Sequence, residues 1–156
     1  MITINPYLTF NGNCEDAFNF YRSIFGGDFA HISKFKDMPE DPKSPISESE
    51  KEKIMHISLP INDECTIMGS DSSEAFGRAT IQGNNFSISI NTDSKDEVSR
   101  IYYELSEDGK IKMPLEKTFW GAYFGMFTDK FGIHWMVNCE TEESDELNKL
   151  NGKEGI

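Results

Sequence analysis

Hydrophobic and polar residues alternate in short runs along this chain, and the runs fall into two sets with the same order. In "NPYLTFNGN", Leu8 and Phe10 share one face and Tyr7 and Thr9 the other, which predicts a half-buried strand ending at Asn11-Gly12-Asn13. Asn13 is placed to cap a helix in which Ala17, Phe18, Tyr21, Ile24 and Phe25 recur at helical spacing. Gly26-Gly27 then supplies the left-handed stop. "DFAHISKFK", "IMHISLPI" (54–61) and "CTIMGSD" (65–71) read as three further strands, the last two joined by a turn at Asn62-Asp63-Glu64.

After a second loop the pattern restarts. "NFSISINT" alternates as a strand, and "SKDEVSRIYYEL" opens with Ser94 and Glu97 at capping-box spacing. That segment repeats Val98, Ile101, Tyr102 and Leu105 and closes at Gly109. "KIKMPLEK", "FWGAYFGMFTD" and "FGIHWMVN" complete the second set. Strand, helix, strand, strand, strand thus occurs twice, over about 1–71 and 84–138. The expected architecture is α+β: one domain over 1–138 made of two βαβββ modules, with eight mostly antiparallel strands and two main helices. Residues 37–52, with three prolines among charges and serines, read as a long mobile loop, either a lid or a disordered stretch. Residues 139–156 read as an acidic tail.

Each sheet has one face for its own helix, so the other face must be covered or must enclose something. Two such faces set together would make a cleft. Alternation assigns Phe86, Ile88, Ile90, Ile133, Trp135 and Val137 to the helix side. Ser87, Ser89, His134 and Met136, with Tyr7 and Thr9, are then the expected cleft residues. "TFWGAYFGMF" places aromatic residues around Gly121 and Gly125. Most of these rings read as core, with Trp120 or Tyr123 as pocket candidates.

Composition narrows the function. Fifteen basic residues against 27 acidic ones give a net charge of −12, which repels nucleic acid and anionic membranes and favours a cationic partner. Cys14, Cys65 and Cys139 are odd in number and widely spaced, which suits neither a disulfide framework nor a zinc site. No apolar run approaches the roughly 20 residues of a membrane span, and the first residues lack a signal-peptide pattern. A cytoplasmic protein is expected.

"PYLTFNGNCEDAFNFYRSIFGG", "IMHISLPI", "IMGSD", "SISINTDSKDEV" and "TDKFGIHWMVN" together resemble the vicinal oxygen chelate, or glyoxalase/bleomycin resistance, superfamily. The resemblance is to its PhnB-like branch, whose members are often labelled 3-demethylubiquinone methyltransferase-like. It spans nearly the whole chain and implies paired βαβββ modules and a homodimer. It also implies a divalent metal held from the first, fourth, fifth and eighth strands. Those places carry over to Asn5, Gly69 to Asp71, Ser87 and Met136. Only Asp71 suits a hard cation, and a thioether at 136 suits only soft metals. No conventional metal site and no cofactor are therefore expected, with Asp71 as the residual metal candidate.

His134 is the candidate general acid or base, since imidazole titrates near pH 6.5. His31 and His56 lack a recognisable partner spacing and read as structural, and Asp129 reads as the residue that opens the last turn. No glycine-rich turn follows a strand, so methyl transfer from S-adenosylmethionine is not expected. The leading expectation is a metal-free protein that binds a small organic molecule, cationic or aromatic, in a cleft, with catalysis left open. The resemblance makes bleomycin-type sequestration proteins the nearest analogy. The alternative is a metal-dependent lyase, isomerase or dioxygenase using a nonstandard site near Asp71 and His134.

Overall fold

A computed structural model describes residues 1–75, 77, 79–140 and 150. The chain divides into two compact units, Met1–Gln82 and Gly83–Ile156. The first runs β1 (Tyr7–Phe10), α1 (Cys14–Phe25), β2 (His31–Lys34), a 3-10 turn (Phe35–Asp37), β3 (Ile54–Pro60) and β4 (Thr66–Asp71). Its sheet has the order β1-β4-β3-β2, with β1 parallel to β4 and the other pairs antiparallel.

The second unit runs β5 (Ile88–Thr92), α2 (Lys95–Leu105), β6 (Lys110–Lys117), β7 (Tyr123–Thr128) and β8 (His134–Cys139). Its sheet repeats the plan as β5-β8-β7-β6, again with first and last strands parallel. Among the described residues, eight strands in two mixed sheets with two main helices make the α+β class of paired βαβββ modules. Among the described residues no helix is long and apolar enough to cross a membrane.

The cores lie between each helix and its sheet. In α1, Cys14, Ala17, Phe18, Tyr21 and Ile24 are buried, the stripe that 3.6-residue periodicity demands. Each large apolar side chain so buried contributes about 1.5–3 kcal/mol relative to exposure. Phe18 meets Phe10 edge-on and lies over Gly69, where an added Cβ would come within 2.6 Å of the ring. In α2 the buried set is Val98, Ile101, Tyr102 and Leu105, and Tyr102 packs edge-on against Phe127.

Several local expectations are corrected. Asn13 precedes α1, but its side chain makes no capping bond. The carboxylate of Asp71 does that work, as described below. Ser94 does cap α2, accepting from the Glu97 amide at 3.3 Å, but α2 ends at Leu105 rather than at Gly109. Gly109 lies in the following turn, where a Cβ would collide with the Thr128 carbonyl. β7 begins at Tyr123; Phe119 and Trp120 belong to a turn closed by the Thr118 amide on the Ala122 carbonyl at 2.7 Å. Phe119 is 95% exposed rather than core, and Phe86, 62% exposed, lies before β5 rather than in its buried face.

β8 extends through Cys139, which is buried, one residue past the expected end of the domain. The expected tail from 141 on, Leu150 apart, lies outside the described residues. Segment 37–52 is fastened at its base: the Phe35 amide donates to the Lys53 carbonyl and the Lys36 amide to the Lys51 carbonyl, both at 3.1 Å.

Candidate functional site

The sheet face away from α1 is the more polar and ring-bearing surface of the first unit. Period-2 alternation sends Leu8 and Phe10 to the helix, and so sends Tyr7 and Thr9 the other way. Parallel register sets Tyr7 beside Met68 and Thr9 beside Ser70. From the antiparallel side, Ser58 pairs with Met68 and with His31, while His56 pairs with Ser33.

Three rings meet on this face. Tyr7 and His56 stack with centroids 5.8 Å apart and planes 28° apart, and the Tyr7 hydroxyl lies 3.3 Å from His56 Nδ1. The His31 ring is 5.4 Å from that of His56, and its Nε2 is 3.1 Å from Ser33 Oγ. Tyr7 remains 49% exposed, so the row is accessible. A phenol hydrogen-bonded to an imidazole can donate or accept a proton, and the ring faces can stack on a planar molecule.

His31 and His56, which from their spacing are expected to be structural, both stand in this row. Counting in twos from Ser58 would have put His56 on this face, but its meeting with Tyr7 and His31 depends on strand register.

In the second unit the helix-free face carries Ser89 and Met136 in register, then Asn91 with Asn138, Met126 with Met136, and Thr128 with His134. His134 has both ring nitrogens engaged. Its Nε2 lies 2.8 Å from the Gly83 carbonyl, which must accept, so Nε2 carries the proton. Nδ1 then accepts from Thr128 Oγ1 at 2.8 Å and from Lys112 Nζ at 3.1 Å. The ring thereby ties β8 to β6, to β7 and to the segment before β5, a positioning arrangement.

The remaining candidates are divided. Ser87 is half-buried and precedes β5 rather than lying within it. Trp120 sits in the turn before β7, 6.4 Å from Phe124, which belongs to the helix-free face. Tyr123 does not join that face: it pairs with Cys139, on the side of Val137 and Trp135, and Lys95 Nζ lies 4.9 Å from its ring centroid. Trp135 is buried against α2's side of the sheet, its indole N–H donating to Asp129 Oδ2 at 2.8 Å. Asp129 Oδ1 accepts from the Phe131 and Ile133 amides at 2.8 and 3.0 Å, the turn-opening geometry expected of it.

The places carried over from the superfamily's metal site do not form a ligand set. Asn5 Oδ1 accepts from the Thr66 amide at 2.9 Å. Asp71 is buried and its two oxygens accept three backbone amides, from Gly12, Cys14 and Ile54. Gly69 has no donor, and Ser87 and Met136 offer only a hydroxyl and a thioether. No group of three or more His, Cys, Asp or Glu side chains able to hold a metal occurs among the described residues. The Cys14 thiol is no substitute. Burial first, then the Asp71 and Glu15 carboxylates, push its pKa far above the ordinary thiol value.

Two mixed sheets, each with its own helix and with its first strand parallel to its last, define a paired-module protein of the glyoxalase type. A glyoxalase-related enzyme from Fulvimarina pelagi shares the fold at 15% identity, with TM-score 0.58 and coverage of 90% of this chain and 89% of that one. A family model described as 3-demethylubiquinone-9 3-methyltransferase matches residues 2–138, and the chain belongs to that family.

Among similar proteins, the structure of PA1353 from Pseudomonas aeruginosa is 45% identical, with TM-score 0.77 and coverage of 90% of this chain and 98% of that one. A PhnB protein from Bacillus cereus, described as a putative 3-demethylubiquinone-9 3-methyltransferase, is 25% identical, with TM-score 0.70 and coverage of 88% and 99%. Protein YjdN from Escherichia coli (strain K12) is 31% identical over 144 residues, 90% of this chain and 97% of its own length.

Proposed function

We propose that this PhnB-like protein binds a small organic molecule, aromatic or cationic, on the helix-free face of its first sheet, without a conventional metal site and without methyl transfer. The observation that carries this reading is the accessible row of Tyr7, His56 and His31, flanked by Thr9 and Ser33. Stacking on such rings, with hydroxyls and imidazoles at the edge, suits a flat ligand with a few polar groups. The net charge of −12 favours a cation electrostatically. Ser87, Ser89, His134, Met136 and Trp120 are proposed as a second polar surface in the other unit, with His134 positioning its neighbours. The protein is proposed to act as a cytoplasmic homodimer.

Native mass spectrometry of protein purified without chelators tests this in one spectrum, reporting subunit number, metal and any retained organic mass. A dimer carrying an organic adduct supports the reading; one metal ion per chain with loss of catalytic turnover on its removal overturns it. Titration with a panel of aromatic and cationic compounds, followed by the His31 and His56 ring resonances, localises the site. Tyr7→Ala is expected to weaken any saturable binding by at least about tenfold, equivalent to roughly 1.4 kcal/mol. Binding unaffected by Tyr7→Ala and His56→Ala alike would remove this face from consideration.

A further inference from the structure

A separate hollow lies under segment 37–52. Its volume is about 490 Å³, within the range of roughly 300–1,000 Å³ that small-molecule sites occupy. Phe35, Met38, Pro42, Pro45 and Ile46 give it apolar walls. The frame around it is built rather than accidental. Besides the two backbone bonds at its base, Glu52 bridges Lys34 at 3.0 Å and Lys36 at 2.9 Å, and Lys43 and Ser44 turn about Asp41 through its carboxylate and carbonyl.

Charge decides what the hollow can hold. Two lysines line it, but Lys36 is paired with Glu52 and Lys51 with Glu48 at 2.6 Å. Glu40 and Asp41 also line it, and neither forms an ion pair among the described residues. Glu40 attracts Lys51 without pairing with it, and Lys51 is already held by Glu48, so the charge left over is negative, beside an apolar wall.

We propose that this hollow is a second binding site, taking a small organic monocation whose apolar or aromatic body packs on Phe35, Met38 and Ile46 while its ammonium group faces Glu40 and Asp41. Such a ligand satisfies both halves of the lining: apolar surface leaves water, and the cation meets carboxylates that form no ion pair among the described residues. A neutral molecule of the same shape meets only the first requirement, and an anion is repelled. The site is independent of the ring row on the first sheet.

The test uses the whole chain, labelled with nitrogen-15, and three probes that share one ring: 2-phenylethylammonium, 2-phenylethanol and phenylacetate. The expected result is saturable shifts of the Met38, Glu40, Asp41 and Ile46 amides, with the cation tightest and the anion weakest. Met38→Trp fills the hollow and should weaken the cation by at least about tenfold. Glu40→Gln with Asp41→Asn, which keeps an oxygen for the Lys43 amide, should lower the cation to the affinity of the alcohol. Tyr7→Ala should change neither.

Three results overturn the proposal. One is no saturable shift up to roughly 20 mM probe, where fragments of this size at ordinary ligand efficiency bind. The others are phenylacetate binding best, or shifts that respond to Tyr7→Ala and not to Met38→Trp. The last would return the ligand to the sheet face and leave the first reading standing.

Discussion

The carboxylate of Asp71 caps the helix that begins at Cys14. Its Oδ1 accepts from the Cys14 amide at 3.0 Å and the Gly12 amide at 2.9 Å, and its Oδ2 from the Ile54 amide at 2.9 Å. One side chain thus joins the end of β4 to the start of α1 and the start of β3, and its negative charge sits at the positive end of the helix.

Replacing Asp71 with Ala leaves three amides without their acceptor, two of them in buried bonds. At about 1–3 kcal/mol for each buried group left unsatisfied, Asp71→Ala should cost about 3–5 kcal/mol in urea unfolding. Asp71→Asn keeps one acceptor oxygen and should cost roughly half as much. A variant within about 0.5 kcal/mol of the parent would show that other groups cap α1.

Glycine is required on the helix faces of both sheets, with different severity. A Cβ at Gly69 would stand 2.7 Å from the Leu8 carbonyl oxygen and 2.6 Å from the Phe18 ring, whereas at Gly125 the nearest atoms are 2.9 Å away in the Tyr102 ring. A side chain can yield more readily than backbone. Gly69→Ala should therefore destabilise by about 2–4 kcal/mol and Gly125→Ala by about 1–3 kcal/mol. The reverse order in thermal or urea unfolding would contradict this packing.

Thiol chemistry should separate the cysteines. Cys14 and Cys139 are buried and Cys65 is partly exposed. With iodoacetamide at neutral pH, Cys65 should be alkylated first. Cys14 should resist until unfolding, because burial and nearby carboxylates raise its pKa and deplete the reactive thiolate. In Asp71→Ala, Cys14 should become labelled faster through opening of the helix start. Equal rates at all three sites in the native protein would refute the burial.

The clamp at the base of segment 37–52 should depend on pH from both sides. Hydrogen bonds from Lys36 and Lys34 hold the Glu52 carboxyl below the ordinary carboxylate range. A depressed carboxyl stabilises the folded form above its unfolded pKa, and that contribution disappears as pH falls through the lower folded value. Lys34, raised above 10.5 by Glu52 and then Glu15, stabilises below its ordinary pKa and loses that contribution as pH rises through the raised value. Amide exchange at Lys36 should show greatest protection, after correction for intrinsic rates, between these limits, and Glu52→Gln should flatten the acid side. A profile unchanged by that substitution would assign the clamp to the backbone bonds alone.

Strand and helix order was legible because each element carries its own period, as in Leu8 and Phe10 or Val98, Ile101, Tyr102 and Leu105. Asp71 was visible as a carboxylate but not as a cap, since its partner amide lies 57 residues away. Tyr123 was open to a parity argument: it is four residues from buried Phe127 and so shares the core side of β7. Trp120 was not, because the turn at 118–122 breaks the alternation. The ring row was not legible in the sequence because Tyr7, His56 and His31 come from three strands, and only register brings them together.

In each sheet the first strand pairs with the last, so Tyr7 meets Met68 and Ile88 meets Trp135, while every strand pairing among the described residues stays inside its own half. During synthesis, β1 must wait on the ribosome for β4 to emerge before its edge can close, a long-range step that slows folding. Once β4 is out, the first half has all its strand partners and can fold before any of β5 to β8 exists. The paired plan thus allows one long nascent chain to fold in two successive steps, each needing one long-range strand closure.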